Sequence, residues 1–332
     1  MKSESPRPLL CTVPEQAAGM RLDRWLASQE DWPTRSQIKL AAREGRLLVD
    51  GRKAPVSHRL KGGEDVVLSV PVFEAESGPR PEDIELDILF ADRHLIAVNK
   101  PAGMVVHPAV GNRSGTLVNA VLHHFPSAPW PGEPGRAGIV HRLDKDTSGV
   151  ILIARTVAAH ENLAGQFRRR TIKKEYQAVV RGRVMQAGEI DAPIGRHRLE
   201  RQRMSTSTRH GRAALTRYEP LEMFAGATLL RVFPHSGRTH QIRVHLASRG
   251  WPIVADRVYG GRRTRTAAAG GARAAAVSRS GFEEALASMR RQALHARAIS
   301  FLHPFDGREM TVQAPCPADI AALLAELRRL SR

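Results

Sequence analysis

Short apolar runs separated by loops are the feature that most constrains how this chain can fold. After residue 84 each run is only a few residues long, which suits a strand better than a helix with a buried face. Helical patterns are fewer, and the clearest places Ile320, Leu323, Leu324 and Leu327 on one face. Many strands with scattered helices predict an α+β domain on a mixed, mainly antiparallel sheet, and not a doubly wound one. The runs cover residues 88–90, 95–98, 150–153, 176–180 and 228–232.

Residues 18–75 predict a small separate domain ahead of this sheet. Its signals are the helical spacing of Leu22, Trp25 and Leu26, a capping-box pair at Thr34 and Gln37, a helix stop at Gly45, and the turn pair Asp50 and Gly51 between extended runs at 47–49 and 66–68. Two short helices leading into a small β-element resemble an S4-type RNA-binding domain. Basic side chains here favour contact with RNA phosphates, although a solvated charged face is the alternative interpretation. They are Arg24, Arg35, Lys39, Arg43 and Arg46.

The segment that follows is acidic and contains Gly78, Pro79 and Pro81, a composition typical of an exposed linker. We therefore predict a linker over 76–83 and a second, larger domain over 84–326. Within that domain, residues 262–280 are rich in Ala, Gly and Arg. This composition predicts a mobile surface insertion, in contact with solvent or with RNA.

The charge balance indicates a polyanionic partner. The chain has 51 Lys and Arg against 33 Asp and Glu, a formal net charge of +18. Such a field attracts nucleic acid, although a merely soluble basic surface would give the same count. Its two cysteines, Cys11 and Cys316, exclude a disulfide scaffold and fit a reducing compartment. No apolar stretch approaches the ~20 residues of a membrane span, so we expect a cytoplasmic protein.

Residues 138–149 carry the densest cluster of polar chemistry. An apolar approach delivers Asp144 between Arg142 and Lys145, and their charges should keep its carboxylate ionised. An ionised, positioned carboxylate acts as a base, a nucleophile or a metal ligand, and a structural salt bridge is the alternative. The scattered histidines lack the HExxH or CxxC spacing of a zinc site. Ser148 does not stand in the G-x-S-x-G context of a serine hydrolase.

The run His141-Arg142-Leu143-Asp144, followed by Thr147-Ser148-Gly149, resembles the signature of the RluA/RluD family of pseudouridine synthases. Further motifs of that family follow in order and cover essentially everything from about residue 84 to 325. With the S4-like domain in front, the chain is most similar to the RluD type. The supporting segments are 99–108, 110–122, Lys174-Glu175-Tyr176, 237–245, 250–261 with Asp256, Val258 and Tyr259, and 291–296.

The resemblance implies an enzyme that flips a uridine out of its helix, attacks it with Asp144 and rejoins the detached base through C5. It implies that Tyr176 stacks on the base, Arg243 pairs with Asp144, and Arg142 fills the vacated space. Arg238 is the alternative partner of Asp144, or a phosphate contact. No metal or organic cofactor is implied. The implied substrate is large-subunit ribosomal RNA or an assembling ribosomal particle, and we expect a monomer.

The segment 195–217 is rich in arginine, Arg203 among them, and predicts a flexible basic loop or hairpin that closes on RNA. A plain solvated loop is the alternative. Two other functions also remain open at this point. One is a non-catalytic RNA-binding or ribosome-assembly factor that keeps the fold, and the other is the same chemistry on transfer RNA or another ribosomal helix. The identity and number of target uridines, and attack at the sugar or at the base, are left open by the sequence.

Overall fold

The computed structural model of the chain divides into two compact units, residues 1–78 and 79–332. It describes residues 8–29, 35–69, 79–108, 112–126, 128, 130–132, 136–198, 200, 203–208, 210–260 and 274–331, with 35–37 and 274–280 described by their backbone alone. The predicted capping box at Thr34 and Gln37 therefore lies outside the described side chains.

The first unit is a small antiparallel sheet with two short helices. Its elements are β1 (Pro8–Thr12), α1 (Leu22–Leu26), α2 (Arg35–Arg43), β2 (Leu47–Val49), β3 (Arg52–Lys53) and β4 (Asp65–Ser69). The sheet order is β1-β4-β2-β3. Leu22, Leu26 and Ile38 from the helices are fully buried against Leu47 and Leu68 of the sheet. The predicted helices and extended runs are present.

Backbone geometry explains two of the predicted signals in this unit. Gly45 follows α2 with φ of 72°, the left-handed conformation that ends a helix at little cost for glycine. Asp50 and Gly51 have φ of 48° and 71°, so both central residues of the turn between β2 and β3 are left-handed, as a type I′ hairpin requires. Strand β1 lies before the segment in which we predicted the domain, and it pairs with β4.

The second unit is built on a large mixed sheet. Its elements are β5 (Ile88–Ala91), β6 (Leu95–Lys100), α3 (Leu117–His124), β7 (Ser148–Ala154), α4 (Val157–Arg169), β8 (Lys173–Arg181), β9 (Gly188–Asp191), β10 (Gly195–Arg196), β11 (Met204–Ser205), β12 (Leu215–Met223), β13 (Ala227–Pro234), α5 (Gln241–Ser248), α6 (Ala274–Ser288), β14 (Leu294–Leu302), β15 (Glu309–Gln313) and α7 (Ala318–Leu330).

The sheet order is β5-β6-β7-β14-β8-β13-β12-β9, and β15 pairs with β14, so the described part of the chain gives nine strands in this sheet. Only β7 and β14 run parallel among these pairs. The predicted mixed, mainly antiparallel α+β architecture is therefore confirmed. Strands β10 and β11 pair with each other and form a small hairpin apart from the sheet.

Both faces of the sheet centre are buried, which explains the continuous apolar runs. Along β7, Val150 and Leu152 pack with α4, whereas Ile151 and Ile153 pack on the opposite face with α3. Helices α6 and α7 cover the other half of the sheet through Leu286, among others. Of the segment 262–280, which we predicted to be a surface insertion, residues 274–280 are helical and belong to α6. Residues 262–273 lie outside the described residues.

Candidate active site

A pocket of about 350 Å³ opens where three segments of the second unit meet. The loop before β7 contributes Asp144, strand β8 contributes Tyr176, and the connection between β13 and α5 contributes Arg238 and His240. Arg243 enters from the first turn of α5. The fold therefore brings together residues that lie far apart in the sequence and that the sequence motifs marked separately.

A buried lysine holds the loop that carries Asp144. Lys100 ends β6 and is fully buried, and its Nζ donates to the carbonyl oxygens of Pro101 at 2.7 Å, Met104 at 2.9 Å and Lys145 at 3.1 Å. Burial lowers the pKa of Lys100 to about 7, although the charge of Asp146 opposes this shift. One buried group thus ties the loop to the turn after β6. Sequence reasoning assigned it no role.

Side chains on both sides of Asp144 complete this support. Before it, the Nε2 atom of His141 accepts a hydrogen bond of 2.8 Å from the backbone N–H of Leu152 in β7. After it, Arg291 donates to the carbonyl oxygen of Asp146 at 3.1 Å. Residue 149 must be glycine for two reasons. Its φ is 115°, and a Cβ atom there would lie 2.2 Å from the carbonyl oxygen of Ala296 in β14. The loop is therefore held at both ends before any substrate arrives.

Arg243 pairs with Asp144, and its Nη1 lies 3.0 Å from Oδ2. Its Nε and Nη2 atoms donate to the two oxygens of Asp256 at 2.7 and 2.9 Å. Burial opposes the charge of Arg243, but the hydrogen bonds and charges of the two carboxylates outweigh it and raise its pKa. Burial likewise acts against ionised Asp256, and Arg243 reverses the effect and lowers the pKa. The three groups form one charged cluster in a largely dry setting.

The two oxygens of Asp144 differ in their surroundings. Oδ2 accepts from Arg243 and lies 4.0 Å from Nε2 of His240. Among the described residues no hydrogen bond is made to Oδ1. The side chain is 20% exposed and lines the pocket. The carboxylate is therefore oriented through Oδ2.

Tyr176 lines the same pocket from β8 and is partly buried against the core on both sides of the sheet. Burial, and secondarily the charge of Asp144, raises the pKa of its phenol. The side chain therefore presents a neutral aromatic ring at physiological pH.

Arg142 and Arg238 line the pocket without pairing with Asp144 in the described structure. Arg142 is exposed. The backbone N–H of Arg238 donates to Oε1 of Gln241 at 3.1 Å. Strand β13 ends at Pro234 and α5 begins at Gln241, so Arg238 lies in the connection between them and Arg243 lies in the helix. The partner of Asp144 is Arg243, and the alternative partner Arg238 is not bonded to it.

The remaining basic residues marked by the sequence lie elsewhere. In the first unit Arg24, Lys39 and Arg43 are exposed, whereas Arg46 is partly buried and pairs with Glu44. The side chain of Arg35 lies outside the described part. In the second unit the hairpin predicted within 195–217 is present as β10 and β11. Its Arg203 pairs with Glu200 at 3.0 Å and lies over the ring of Tyr259, with its Cζ 5.7 Å from the centroid.

Comparison with known proteins places this geometry in a family. The family model described as RNA pseudouridylate synthase matches residues 94–248, and the S4 domain model matches residues 20–66. Ribosomal large subunit pseudouridine synthase D of Nitrosomonas europaea is 41% identical over 98% of this chain and 90% of its own length. The protein of the same name from Pseudomonas aeruginosa is 41% identical over 96% of this chain and 95% of its own length. The chain belongs to the RNA pseudouridylate synthase family.

A solved RNA pseudouridylate synthase supports the same assignment. The human RNA pseudouridylate synthase domain-containing protein 4 has a TM-score of 0.54 and 26% sequence identity, over 73% of this chain and 92% of that one. As a member of this family, the chain is an RNA pseudouridine synthase, an isomerase that converts uridine to pseudouridine. RNA is its partner, and its first unit contains an S4 domain.

The described residues of this pseudouridine synthase contain neither a metal-ligand cluster nor a membrane-spanning helix. No group of three or more His, Cys, Asp or Glu side chains there is arranged to hold a metal ion. No helix there has the length and apolar character needed to cross a membrane.

Proposed function

We propose that this pseudouridine synthase modifies uridines of large-subunit ribosomal RNA, as free RNA or within an assembling ribosomal particle. The support is the name shared by relatives that align over nearly the whole chain, with the S4 domain included. The net charge of +18 suits a large polyanionic substrate. Work on ribosomal RNA would place the enzyme in the cytoplasm, where we expect it to act as a monomer.

The observation that carries the mechanism is the carboxylate of Asp144, bonded to Arg243 through Oδ2 and unbonded at Oδ1. In the proposal Oδ1 is the nucleophile that attacks the target nucleotide, and Arg243 keeps the carboxylate ionised and aimed. The bond from N1 of uracil to the sugar breaks, the base turns and joins the sugar through C5, and the bond that Oδ1 formed breaks, which restores the carboxylate of Asp144. The proton of C5 leaves and N1 regains one, so the product is an isomer of the substrate.

The target base must leave its helix before this reaction, at a cost of a few kcal/mol. In the proposal the exposed Arg142 enters the vacated space at the pocket mouth, because a planar cation stacks and contacts phosphate. Tyr176 offers a neutral ring on which the flipped base stacks. Arg238 contacts a phosphate near the pocket. Both arginines line the pocket, which supports these roles.

Other phosphates are proposed to contact two basic surfaces. One is in the S4 domain and consists of Arg24, Arg35, Lys39, Arg43 and Arg46. The other is the hairpin of β10 and β11, with Arg203. Contacts of this kind supply affinity and orientation and not base specificity.

The decisive experiment uses large-subunit ribosomal RNA transcribed without modifications. The RNA is incubated with wild-type protein, with Asp144→Asn or with Asp306→Asn, and pseudouridines are mapped by carbodiimide-dependent stops of reverse transcription. Asp306→Asn is the matched control, because it removes an exposed carboxylate that does not line the pocket. New stops with wild type and Asp306→Asn, and none with Asp144→Asn, are expected.

Assembling particles and transfer RNA are the further substrates if free ribosomal RNA gives no stops. Activity on transfer RNA alone would move the substrate proposal to that RNA. Pseudouridine formation by Asp144→Asn would remove Asp144 from the nucleophile role. If none of the three substrates showed new stops, a non-catalytic assembly factor would be favoured.

A further inference from the structure

His240 lies beside the proposed nucleophile, Asp144, and has an unusual backbone conformation. It stands immediately before α5 with φ of 55°, a left-handed conformation that residues other than glycine rarely adopt. Backbone strain of this kind persists where surrounding contacts enforce it. Its ring lines the pocket, with Nδ1 2.9 Å from Oη of Tyr259 and Nε2 4.0 Å from Oδ2 of Asp144. The ring therefore spans the gap between a buried tyrosine and the nucleophile.

The hydrogen bonds of Tyr259 favour one tautomer of His240. The backbone N–H of Met204, in β11, donates to Oη of Tyr259 at 2.8 Å. The hydroxyl oxygen is an acceptor in that bond, so its own proton is available for Nδ1 of His240. An imidazole that accepts at Nδ1 and is neutral holds its proton at Nε2. That N–H is directed to the side of the ring on which Asp144 lies.

The charges around His240 keep the ring neutral. Burial lowers its pKa, and the cations Arg243 on α5 and Arg142 on the nucleophile loop act in the same direction. Asp144 and Asp256 oppose the shift without reversing it. From the hairpin, Arg203 adds a further cation near Tyr259, with Cζ 5.7 Å from the ring centroid.

We propose that His240 is a positioning residue whose Nε2–H, together with Arg243, directs Oδ2 of Asp144, and that Tyr259 acts by fixing this tautomer of His240. The inference rests on the proposed role of Asp144 as nucleophile. The present separation of 4.0 Å is longer than a hydrogen bond. Catalytic hydrogen bonds commonly shorten when substrate fills the site, and this one forms in that state.

The relay also links the basic hairpin to the nucleophile. Met204 bonds to Tyr259, Tyr259 bonds to His240, and His240 lies against Asp144. Among the described residues, Nδ1 of His240 is the acceptor within hydrogen-bond distance of the hydroxyl of Tyr259. The docked hairpin thus favours the competent tautomer.

The test compares Tyr259→Phe with Tyr218→Phe. Tyr218 is buried in β12, outside the pocket, and is the matched control for loss of a hydroxyl. RNA carrying uridine tritiated at C5 is mixed with saturating enzyme, and tritium release in a single turnover is followed between pH 5 and 8.5. We expect Tyr259→Phe to slow the reaction about tenfold at pH 8, the loss of one hydrogen bond, with an unchanged half-saturating enzyme concentration.

The pH profile separates a tautomer from a merely structural role. In Tyr259→Phe the proton of neutral His240 is no longer confined to Nε2. A fraction of the enzyme then lacks the N–H directed to Asp144, and the rate at pH 8 decreases. Because the pKa of His240 is lowered, its ring gains a second proton only well below pH 6.5. Toward pH 5 both nitrogens then carry a proton, and the deficit relative to wild type shrinks. Tyr218→Phe follows wild type at every pH. A wild-type profile for Tyr259→Phe, or a deficit of constant size, would overturn the proposal.

A double variant supplies the second criterion. His240→Asn removes the ring and keeps a residue that tolerates the left-handed backbone. If Tyr259 acts through His240, adding Tyr259→Phe to His240→Asn causes no further loss, whereas multiplying losses contradict the relay. Should His240→Asn fail to fold by thermal melting, the pH profile of Tyr259→Phe decides alone. A wild-type enzyme that releases no tritium would instead refute the proposed function.

Discussion

Asp256 holds Arg243 in a two-pronged pair, with its Oδ2 2.7 Å from Nε and its Oδ1 2.9 Å from Nη2. The same Oδ1 accepts the backbone N–H groups of Val258 and Tyr259 at 2.9 and 3.0 Å, so the carboxylate itself cannot turn. Because a guanidinium is planar, fixing two nitrogens fixes the third. That third nitrogen, Nη1, is the one that meets Asp144. The direction of the Asp144 carboxylate is thus set by a residue that does not touch it.

Replacing Asp256 with Asn should therefore damage both the fold and the reaction. Removing one charge from a buried pair costs about 3–5 kcal/mol, and here the remaining bond to Asp144 keeps the loss toward the lower figure. We expect kcat to fall about a hundredfold with little change in KM, because substrate contacts are untouched. Glu222→Gln is the control, since its two-pronged pair with Arg328 is on the surface and such pairs contribute about 0–1 kcal/mol. Urea unfolding and steady-state kinetics measure both effects, and equal behaviour of the two variants would contradict this prediction.

Arg243→Lys tests whether geometry or charge matters at this position. A lysine keeps the positive charge but cannot hold Asp256 with two nitrogens while reaching Asp144 with a third. We expect the single-turnover rate to fall about 10²–10³-fold, close to the loss from Arg243→Ala. Arg238→Ala, which removes a neighbouring arginine that is not bonded to Asp144, should mainly weaken RNA binding. If Arg238→Ala reduced the rate as much as Arg243→Lys, Arg238 would share the orienting role.

Much of this architecture was predictable because the apolar runs are long enough to mark strands and the motifs are dense. The runs at 95–98 and 150–153 became β6 and β7, and the pocket gathered Asp144, Tyr176 and Arg243. Strand β1 was missed because its residues form a strand only through pairing with β4, a long-range contact.

The functions of Lys100 and Asp256 were missed for a related reason. The three acceptors of Lys100 are backbone carbonyls. Every residue has such a carbonyl, so the residue types at these positions do not reveal the contact. A lysine directly after an apolar run was the available signal. The role of Asp256 depends on where the chain returns after α5, and spacing alone does not specify that return.

His141 makes acid stability testable. Its Nε2 accepts from the N–H of Leu152, so charging the ring would break a buried hydrogen bond. Burial, with Lys174 in support, lowers its pKa to about 3. The unfolded chain binds a proton near the ordinary pKa of about 6.5, so stability falls as pH drops from there toward 3. At pH 5 the loss from this group is about 2 kcal/mol.

The variant His141→Gln isolates this contribution, since the amide oxygen can accept from Leu152 and does not titrate. Its free energy of unfolding in urea should change less than that of wild type between pH 7.5 and 5. At pH 7.5 the His141 ring is neutral in the folded wild-type protein. The variant should then be less stable than wild type, because the packing of His141 on Phe167 is lost. If the free energy of unfolding changed equally with pH in the two proteins, another group would cause the loss of stability at acid pH.

Salt dependence of RNA binding tests the S4 surface. Lys39 and Arg43 are exposed on α2, and each phosphate contact that is lost reduces the slope of log K against log salt by about 0.7 to 0.9. The double variant Lys39→Ala/Arg43→Ala should therefore lower the slope by about 1.5 and leave the single-turnover rate at saturation unchanged. Arg328→Ala/Arg329→Ala removes the same charge from α7, where both arginines already pair with Glu222 and Glu326, and should leave the slope near that of wild type. Filter binding to large-subunit RNA fragments across a series of salt concentrations measures both slopes. Equal decreases in the two double variants would mean that RNA senses only the overall charge of the protein, and the S4 surface would then lose its assignment as a phosphate contact.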